Sequence, residues 1–161
     1  MHLAAPALPE DEMTITRANV EAVLIKRTGH LLTVAGLDGT TVDGTNADLG
    51  DPIAFALAQI GITAASPTVP TTAEVATIPD ADRYEFLALA ELRTLQTILS
   101  HVLDLVNTEA GNRVDENSQL ANGLQLRIDR LQLEIRRQYG WSAGTLEAGY
   151  AYQDLAQHGD D

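Results

Sequence analysis

The sequence contains no cysteine, and basic and aromatic residues are scarce. Without cysteine the chain of 161 residues can form no disulfide, no thiolate metal site and no thiol nucleophile. Ten basic residues stand against 23 acidic ones, so the formal net charge at pH 7 is −13. Such a charge repels phosphate groups, and we therefore expect no sequence-independent binding to nucleic acid.

Long apolar runs are also absent. No stretch approaches the roughly 18 apolar residues that a membrane-spanning helix needs, so we expect no transmembrane segment. The first 13 residues, MHLAAPALPEDEM, contain no cationic region and no long apolar region, so we expect no signal peptide. The length of the chain fits one domain with a single core.

Motifs that carry catalysis or bind a cofactor are missing as well. The four histidines, at positions 2, 30, 101 and 158, show none of the short spacings that place two imidazoles on one metal. The single lysine, Lys26, follows no glycine-rich loop, and no serine lies in a Gly-x-Ser-x-Gly motif. We therefore expect no enzymatic activity, no cofactor and no resident metal.

Apolar residues that recur at helical spacing predict an all-α fold. Thr14 or Thr16 is the expected cap of a first helix that ends at Gly36, and Gly29 inside it is a candidate break. The apolar positions of this helix are Val20, Val23, Leu24, Leu31, Val34 and Ala35. The next segment, 37–50, contains two Asp-Gly steps and almost no apolar periodicity, so it predicts either a tight hairpin or an ordered loop.

A short second helix is predicted after this loop. Asp51 is its expected cap, Pro52 takes the first position, where a missing amide hydrogen costs nothing, and Gly61 ends it. Residues 62–79 contain three prolines and therefore predict an irregular linker. The only helical turn expected there is at Thr72–Ala76.

Two long helices form the predicted scaffold. The first begins with Asp80 as its cap and runs to about Asn107, and the second begins at Asp115 or Asn117 and stops at Gly140. The polar stripe of the first consists only of Arg93, Thr97, Ser100 and Asp104. A stripe this narrow indicates a helix that is covered on most sides, by its own domain, by neighbouring subunits or by both. Antiparallel packing of the two helices predicts a small bundle built on a long αα-hairpin.

The second long helix has an apolar face and a charged one. Its predicted apolar face consists of Leu120, Leu124, Ile128, Leu131 and Ile135, widened by Leu126 and Leu133. Its predicted outer face contains Arg127, Arg130, Glu134 and Arg137. The arginines at 127, 130, 136 and 137 indicate either a solvated helix face or a surface for an acidic partner or DNA. The solvated face is the more frequent of the two.

The composition divides the chain into a Pro-rich tail at 1–13, a helical domain at 14–140 and a C-terminal tail at 141–161. The C-terminal tail contains the only tryptophan and two of the four tyrosines. Aromatic residues in a segment that builds no core of its own indicate either a docking peptide or a tail that folds back on its own domain. The candidate partner-docking residues are Tyr139, Trp141, Tyr150 and Tyr152.

One glycine-rich stretch holds several oxygen ligands of the kind that calcium prefers. These side chains are Asp38, Asp43, Asn46, Asp48 and Asp51. Their spacing does not match an EF-hand, since Thr45 and Ala47 would take ligand positions and Ala54 would replace the bidentate glutamate. Aspartate and asparagine also form turns and cap helices, and this second interpretation is favoured.

Two segments carry a resemblance to a known family. MTITRANVEAVL at Met13–Leu24 and DGTNADLGDPIAFALAQIG at Asp43–Gly61 are similar to head-to-tail connector, or adaptor, proteins of tailed phages. The order of parts also resembles that family: a first helix, a turn-rich loop, a short helix, a Thr/Pro linker, two long helices and a tail. The likeness extends over about residues 13–140 and includes no catalytic motif.

The resemblance implies a structural virion protein of the neck region, assembled in the cytoplasm of the host bacterium. Its subunits would form a ring, typically twelvefold, beneath the portal protein of the filled capsid and offer a platform for a tail or stopper protein. DNA would pass through the ring without specific binding, and the C-terminal segment would dock onto the portal. The alternative function is a stand-alone acidic helical adaptor or DNA-mimic regulator that binds a basic protein.

Overall fold

A computed structural model describes residues 14–108 and 112–140. These residues form an all-helical fold without strands, which confirms the predicted fold class. The α-helices are α1 Arg17–Val34, α2 Gly50–Gln59, α3 Thr72–Ala76, α4 Arg83–Thr108 and α5 Asn112–Tyr139. Short 3-10 turns at Ala47–Leu49 and Asp80–Asp82 precede α2 and α4. In this part of the chain no helix is both long and apolar enough to cross a membrane.

Helix α1 begins with a capping box, in which two side chains satisfy each other's backbone amides. The Asn19 amide donates to Thr16 Oγ1 at 3.1 Å, and the Thr16 amide donates to Asn19 Oδ1 at 3.0 Å. Of the two predicted caps, the structure therefore uses Thr16. The helix continues through Gly29 without a break. A glycine is needed at this position because the loop backbone passes close to it, and a Cβ there would come within 2.8 Å of the Gly39 carbonyl oxygen.

The segment between α1 and α2 is an ordered loop, and it begins α2 in a way that differs from the prediction. Asn46 Oδ1 accepts hydrogen bonds from the amides of Asp48 and Leu49, so Asn46 caps the 3-10 turn that leads into α2. The prediction that Asp51 is the cap was wrong. Asp51 lies in the first turn of α2, where its carboxylate accepts a hydrogen bond from Arg93 of α4.

The starts of both long helices also differ from the prediction. Asp80 was expected to cap α4, but it lies in a 3-10 turn and forms an ion pair of 2.7 Å with Arg83, the first residue of α4. Helix α5 begins at Asn112, earlier than the predicted Asp115 or Asn117. The ends of the helices match better, because Gly36, Gly61 and Gly140 follow α1, α2 and α5 with positive φ, which suits glycine.

Helix α4 forms the centre of the core, and α1, α2 and α5 each pack against it. Its buried side chains are Phe86, Leu89, Ala90, Leu92, Thr94, Leu95, Ile98 and Val102. The neighbours contribute Val20, Leu24 and Leu32 from α1, Ile53, Ala56 and Leu57 from α2, and Leu124, Ile128 and Ile135 from α5. Each fully buried aliphatic side chain contributes about 1.5–3 kcal/mol of transfer free energy. The narrow polar stripe predicted for this helix thus reflects packing within one chain over most of its length.

The segment between α2 and α4 is more than a linker. Helix α3 occupies the predicted turn at Thr72–Ala76, and Val75 and Ile78 reach the core. A second capping box starts α3, in which the Glu74 amide donates to Thr71 Oγ1 at 3.2 Å and Glu74 Oε2 accepts from the Thr71 amide at 2.8 Å. This segment therefore closes one end of the bundle.

Candidate interaction surfaces

The predicted docking residues fall at the end of α5 or beyond it. Tyr139 is half-buried and packs against the core as the last residue of α5. Trp141, Tyr150 and Tyr152 lie outside the described residues. The rest of the candidate site therefore consists of surfaces on the helical domain itself.

The end of α5 and the start of α4 enclose an open groove of about 540 Å³, which we call the α4–α5 groove. It is lined by Arg27, Ala81, Tyr84, Ala88, Glu91, Leu131, Glu134, Ile135, Gln138 and Tyr139. Because the last turn of α5 lies beside the first turns of α4, the two long helices are antiparallel, as predicted. Tyr84 belongs to the apolar pattern of α4, but it is 77% exposed and lines the groove.

Glu91 joins three helices beside this groove. Its carboxylate accepts hydrogen bonds from Arg27 of α1 at 2.8 Å and from Arg127 of α5 at 3.1 Å, and Arg127 also donates to the Arg27 carbonyl oxygen at 3.3 Å. Arg127, which was predicted on the outer face, is 40% exposed and also takes part in this contact between helices. Arg130 and Arg137 are exposed, so the last three turns of α5 present positive charge to solvent.

Apolar side chains on the hairpin face solvent. Leu126 and Leu133 were expected to widen the buried face of α5, but they are 68% and 45% exposed. They lie seven residues apart and hence on one face of α5. On α4, Leu103 is exposed too, and no side chain of 103–108 or 114–120 is buried. Exposed leucines therefore occur both beside the core, at Leu126 and Leu133, and at Leu103, in a part of the hairpin where no described side chain is fully buried.

The loop that might have held calcium uses its carboxylates to bind its own backbone. Asp38 Oδ1 accepts from the Thr40 and Thr41 amides, and Asp43 Oδ1 accepts from the Thr45 amide at 3.0 Å. Asp48 Oδ2 accepts from the Asp38 amide at 2.7 Å. Across residues 14–108 and 112–140, no group of three or more His, Cys, Asp and Glu side chains is arranged to hold a metal ion. These geometries are the turn and cap roles that the residue types favour.

The same hydrogen bonds set the charge of the loop. The Thr41 hydroxyl, together with the Thr40 and Thr41 amides, lowers the pKa of Asp38 from 3.8 to about 2. The Thr45 hydroxyl and amide likewise lower the pKa of Asp43. Hydrogen bonds to the charged form of a carboxyl group stabilise that form, so both carboxylates are anions at neutral pH and are bound by groups of their own loop.

A buried ionic network, which the sequence analysis missed, anchors this loop to α1. Arg17 donates to Glu21 Oε1 at 3.0 Å, to the Pro70 carbonyl at 2.8 Å and to the Asn46 carbonyl at 2.7 Å. Glu21 accepts in turn from the Asn46 amide at 3.0 Å and from the Gly44 amide at 2.7 Å. The only signal in the sequence is an Arg–Glu pair four residues apart, which most often lies on a solvated face.

A second, smaller groove of about 340 Å³ lies beside α2. It is lined by Asp51, Ala54, Phe55, Ala58, Thr63, Ala64 and Pro67. The Arg93 guanidinium lies 5.0 Å from the centre of the Phe55 ring and also pairs with Asp51 at 3.0 Å. This stacked cation is held between an aromatic face and a carboxylate, an arrangement that positions α2 on α4.

Comparisons of the chain with protein-family models, with curated proteins and with solved structures found no match.

Proposed function

We propose that this chain is a non-enzymatic structural subunit of a phage head-to-tail connector, an adaptor that forms a ring beneath the portal protein in the neck of the virion. The observation that carries the proposal is the exposed leucines of the hairpin, which are Leu126 and Leu133 on one face of α5 and Leu103 on α4. In a free monomer such a face would be an unfavourable surface, whereas in an assembly it becomes a contact.

The hairpin is suited to a head-to-tail contact between subunits. Leu126 and Leu133 lie on one face of α5 with the exposed Asp129 and Arg130 between them, and Leu103 lies on the partner helix of the hairpin. Contacts between two different surfaces of identical subunits close into rings when the rotation between neighbours permits it. In the proposed ring these leucines pack against the adjacent subunit, and the rigid bundle of α1, α2 and α4 keeps the spacing between subunits constant.

The charge of the chain suits a channel for DNA. A net charge of −13 gives a ring of many copies a strongly negative surface, which repels phosphates and lets DNA pass without binding. The DNA-mimic alternative needs free carboxylates on one face. Asp38, Asp43 and Asp48 lie together in one loop and accept hydrogen bonds from its backbone amides, so these three acids have a role in folding the loop.

The test is the oligomeric state of the full chain, alone and mixed with the portal protein of the same phage. Native mass spectrometry and negative-stain images are expected to show rings that bind the portal. The double variant L126Q/L133Q should lose the ring and remain a folded monomer. V69Q, which changes a similarly exposed apolar side chain outside the hairpin, should retain it. An inert monomer in the presence of the portal, or a gene located far from portal and capsid genes, would contradict the proposal.

A further inference from the structure

The α4–α5 groove has the size and lining of a binding site for an aromatic side chain. Its volume of about 540 Å³ lies within the range of roughly 300–1,000 Å³ that is usual for ligand sites. Tyr84 and Ala88 form one wall, Ile135 lies at the bottom almost fully buried, and Tyr139 closes one end. The charged groups at the rim suit a side chain that is apolar in body and polar at one edge, such as tryptophan.

Helix α5 ends beside this groove, because Gln138 and Tyr139 of its last turn both line it. Gly140 has a φ of 69°, and its amide donates to the Arg136 carbonyl at 3.0 Å. A left-handed glycine with this hydrogen bond ends a helix and satisfies one of its last carbonyl groups. The residue after Gly140 in the sequence is Trp141, so the described part of the chain ends next to the groove and one residue before the only tryptophan.

The charges of the tail and of the helix are complementary. Residues 141–161 contain four acidic side chains and no lysine or arginine. The last turns of α5, from Arg127 to Arg137, contain four arginines and two acidic residues. These turns span about 15 Å at 1.5 Å per residue, and 20 residues beyond Trp141 can reach several times that distance.

From the size of the groove, the position of the end of α5 and the charges, we propose that the C-terminal segment 141–161 docks onto the helical domain of its own chain. Trp141 is then seated in the α4–α5 groove, and the acidic residues lie along Arg130 and Arg137, the exposed arginines of α5. The proposal stands independently of the connector function, because it concerns the free chain.

The fluorescence of Trp141 in the full chain tests this proposal, since it is the only tryptophan. A seated indole is expected to emit at shorter wavelength than free tryptophan and to resist quenching by acrylamide. Y84S removes one wall of the groove at a side chain that is mostly exposed, so the fold is retained. In this variant the emission should shift to longer wavelength and the quenching constant should rise severalfold.

V69S is the matched control, because it shortens another exposed apolar side chain away from the groove and should leave the spectrum unchanged. Circular dichroism and the unfolding midpoint verify that both variants fold. A tryptophan that is quenched as readily as a free peptide, or one that is protected but unaffected by Y84S, would overturn the proposal. Protection that disappears on dilution would also overturn it, since the tail would then occupy the groove of a second copy. Neither readout depends on ring formation, so this proposal and the connector proposal can fail separately.

Discussion

Arg17 and Glu21 form an ion pair, 3.0 Å between Nε and Oε1, in which the side chains are only 4% and 0% exposed. Removing two charges from water costs several kcal/mol per ion, and their mutual attraction offsets this cost only when the remaining polar atoms are also satisfied. Here the guanidinium also donates hydrogen bonds to two carbonyl oxygens, and the carboxylate also accepts hydrogen bonds from two backbone amides. The pair is therefore the point at which α1, the 37–50 loop and Pro70 are joined.

Breaking this pair from one side should destabilise the fold strongly. In R17M the Glu21 carboxylate stays buried without its counter-ion, so the free energy of unfolding should fall by about 3–5 kcal/mol. Urea denaturation followed by circular dichroism measures the change. D80N removes the carboxylate of a more exposed pair with Arg83 and should cost less than about 1 kcal/mol. Equal effects of the two substitutions would show that the buried pair is not structural.

Asn46 should tolerate no change of its amide, because each of its side-chain atoms has partners. Its Nδ2 donates to the carbonyls of Asp38 and Thr41, and its Oδ1 accepts from two amides. N46D keeps the acceptor but places a carboxylate oxygen against two carbonyls, so it should cost about 1–3 kcal/mol or more. Amide hydrogen exchange at Asp48 and Leu49 reports on the acceptor role of Oδ1 alone. N46A removes this acceptor and should accelerate the exchange, whereas N46D keeps it and should change the exchange less.

The low pKa of Asp38 predicts a specific response to acid. Since its pKa in the folded chain, about 2, lies below the ordinary 3.8, the charged form stabilises the fold above pH 4, and this stabilisation is lost as the pH falls towards 2. T41V removes the hydroxyl that lowers the pKa most and should move it back towards 3.8. NMR titration of the Asp38 carboxyl carbon measures both values. An unchanged midpoint in T41V would contradict the role of the hydroxyl.

Two helical glycines should respond to alanine in opposite directions. A Cβ at Gly50 would overlap the Thr68 carbonyl oxygen, so G50A should cost about 1–3 kcal/mol despite the better helix propensity of alanine. A Cβ at Gly123 in α5 meets nothing within 4 Å, so G123A should stabilise the chain by about 1 kcal/mol. Thermal and urea unfolding measure the stability change in each of the two variants. Stabilisation by both substitutions would show that the 62–71 segment does not pack tightly on α2.

Local patterns in the sequence predicted the positions of the helices well, but they predicted poorly which residues cap the helices. Helical spacing located α1, α2, α4 and α5, and the glycines after α1, α2 and α5 marked where each ends. The capping residues of α2 and α4 were predicted wrongly, because Asp51 and Asp80 each interact with an arginine instead of the backbone. Backbone amides and charged side chains compete for the same carboxylate. A local sequence pattern does not show a competing side chain from another helix, such as Arg93.

The sequence by itself determined the all-α fold, the antiparallel hairpin and the turn-forming role of the 37–50 loop, since periodicity and turn chemistry act over a few residues. Only the tertiary structure decided which apolar and charged residues are covered. Leu126 and Tyr84 belong to apolar patterns yet face solvent, whereas Arg17 and Glu21 are charged yet buried. Burial depends on which elements meet in space, and a buried charge is tolerated only where distant backbone groups supply its hydrogen bonds.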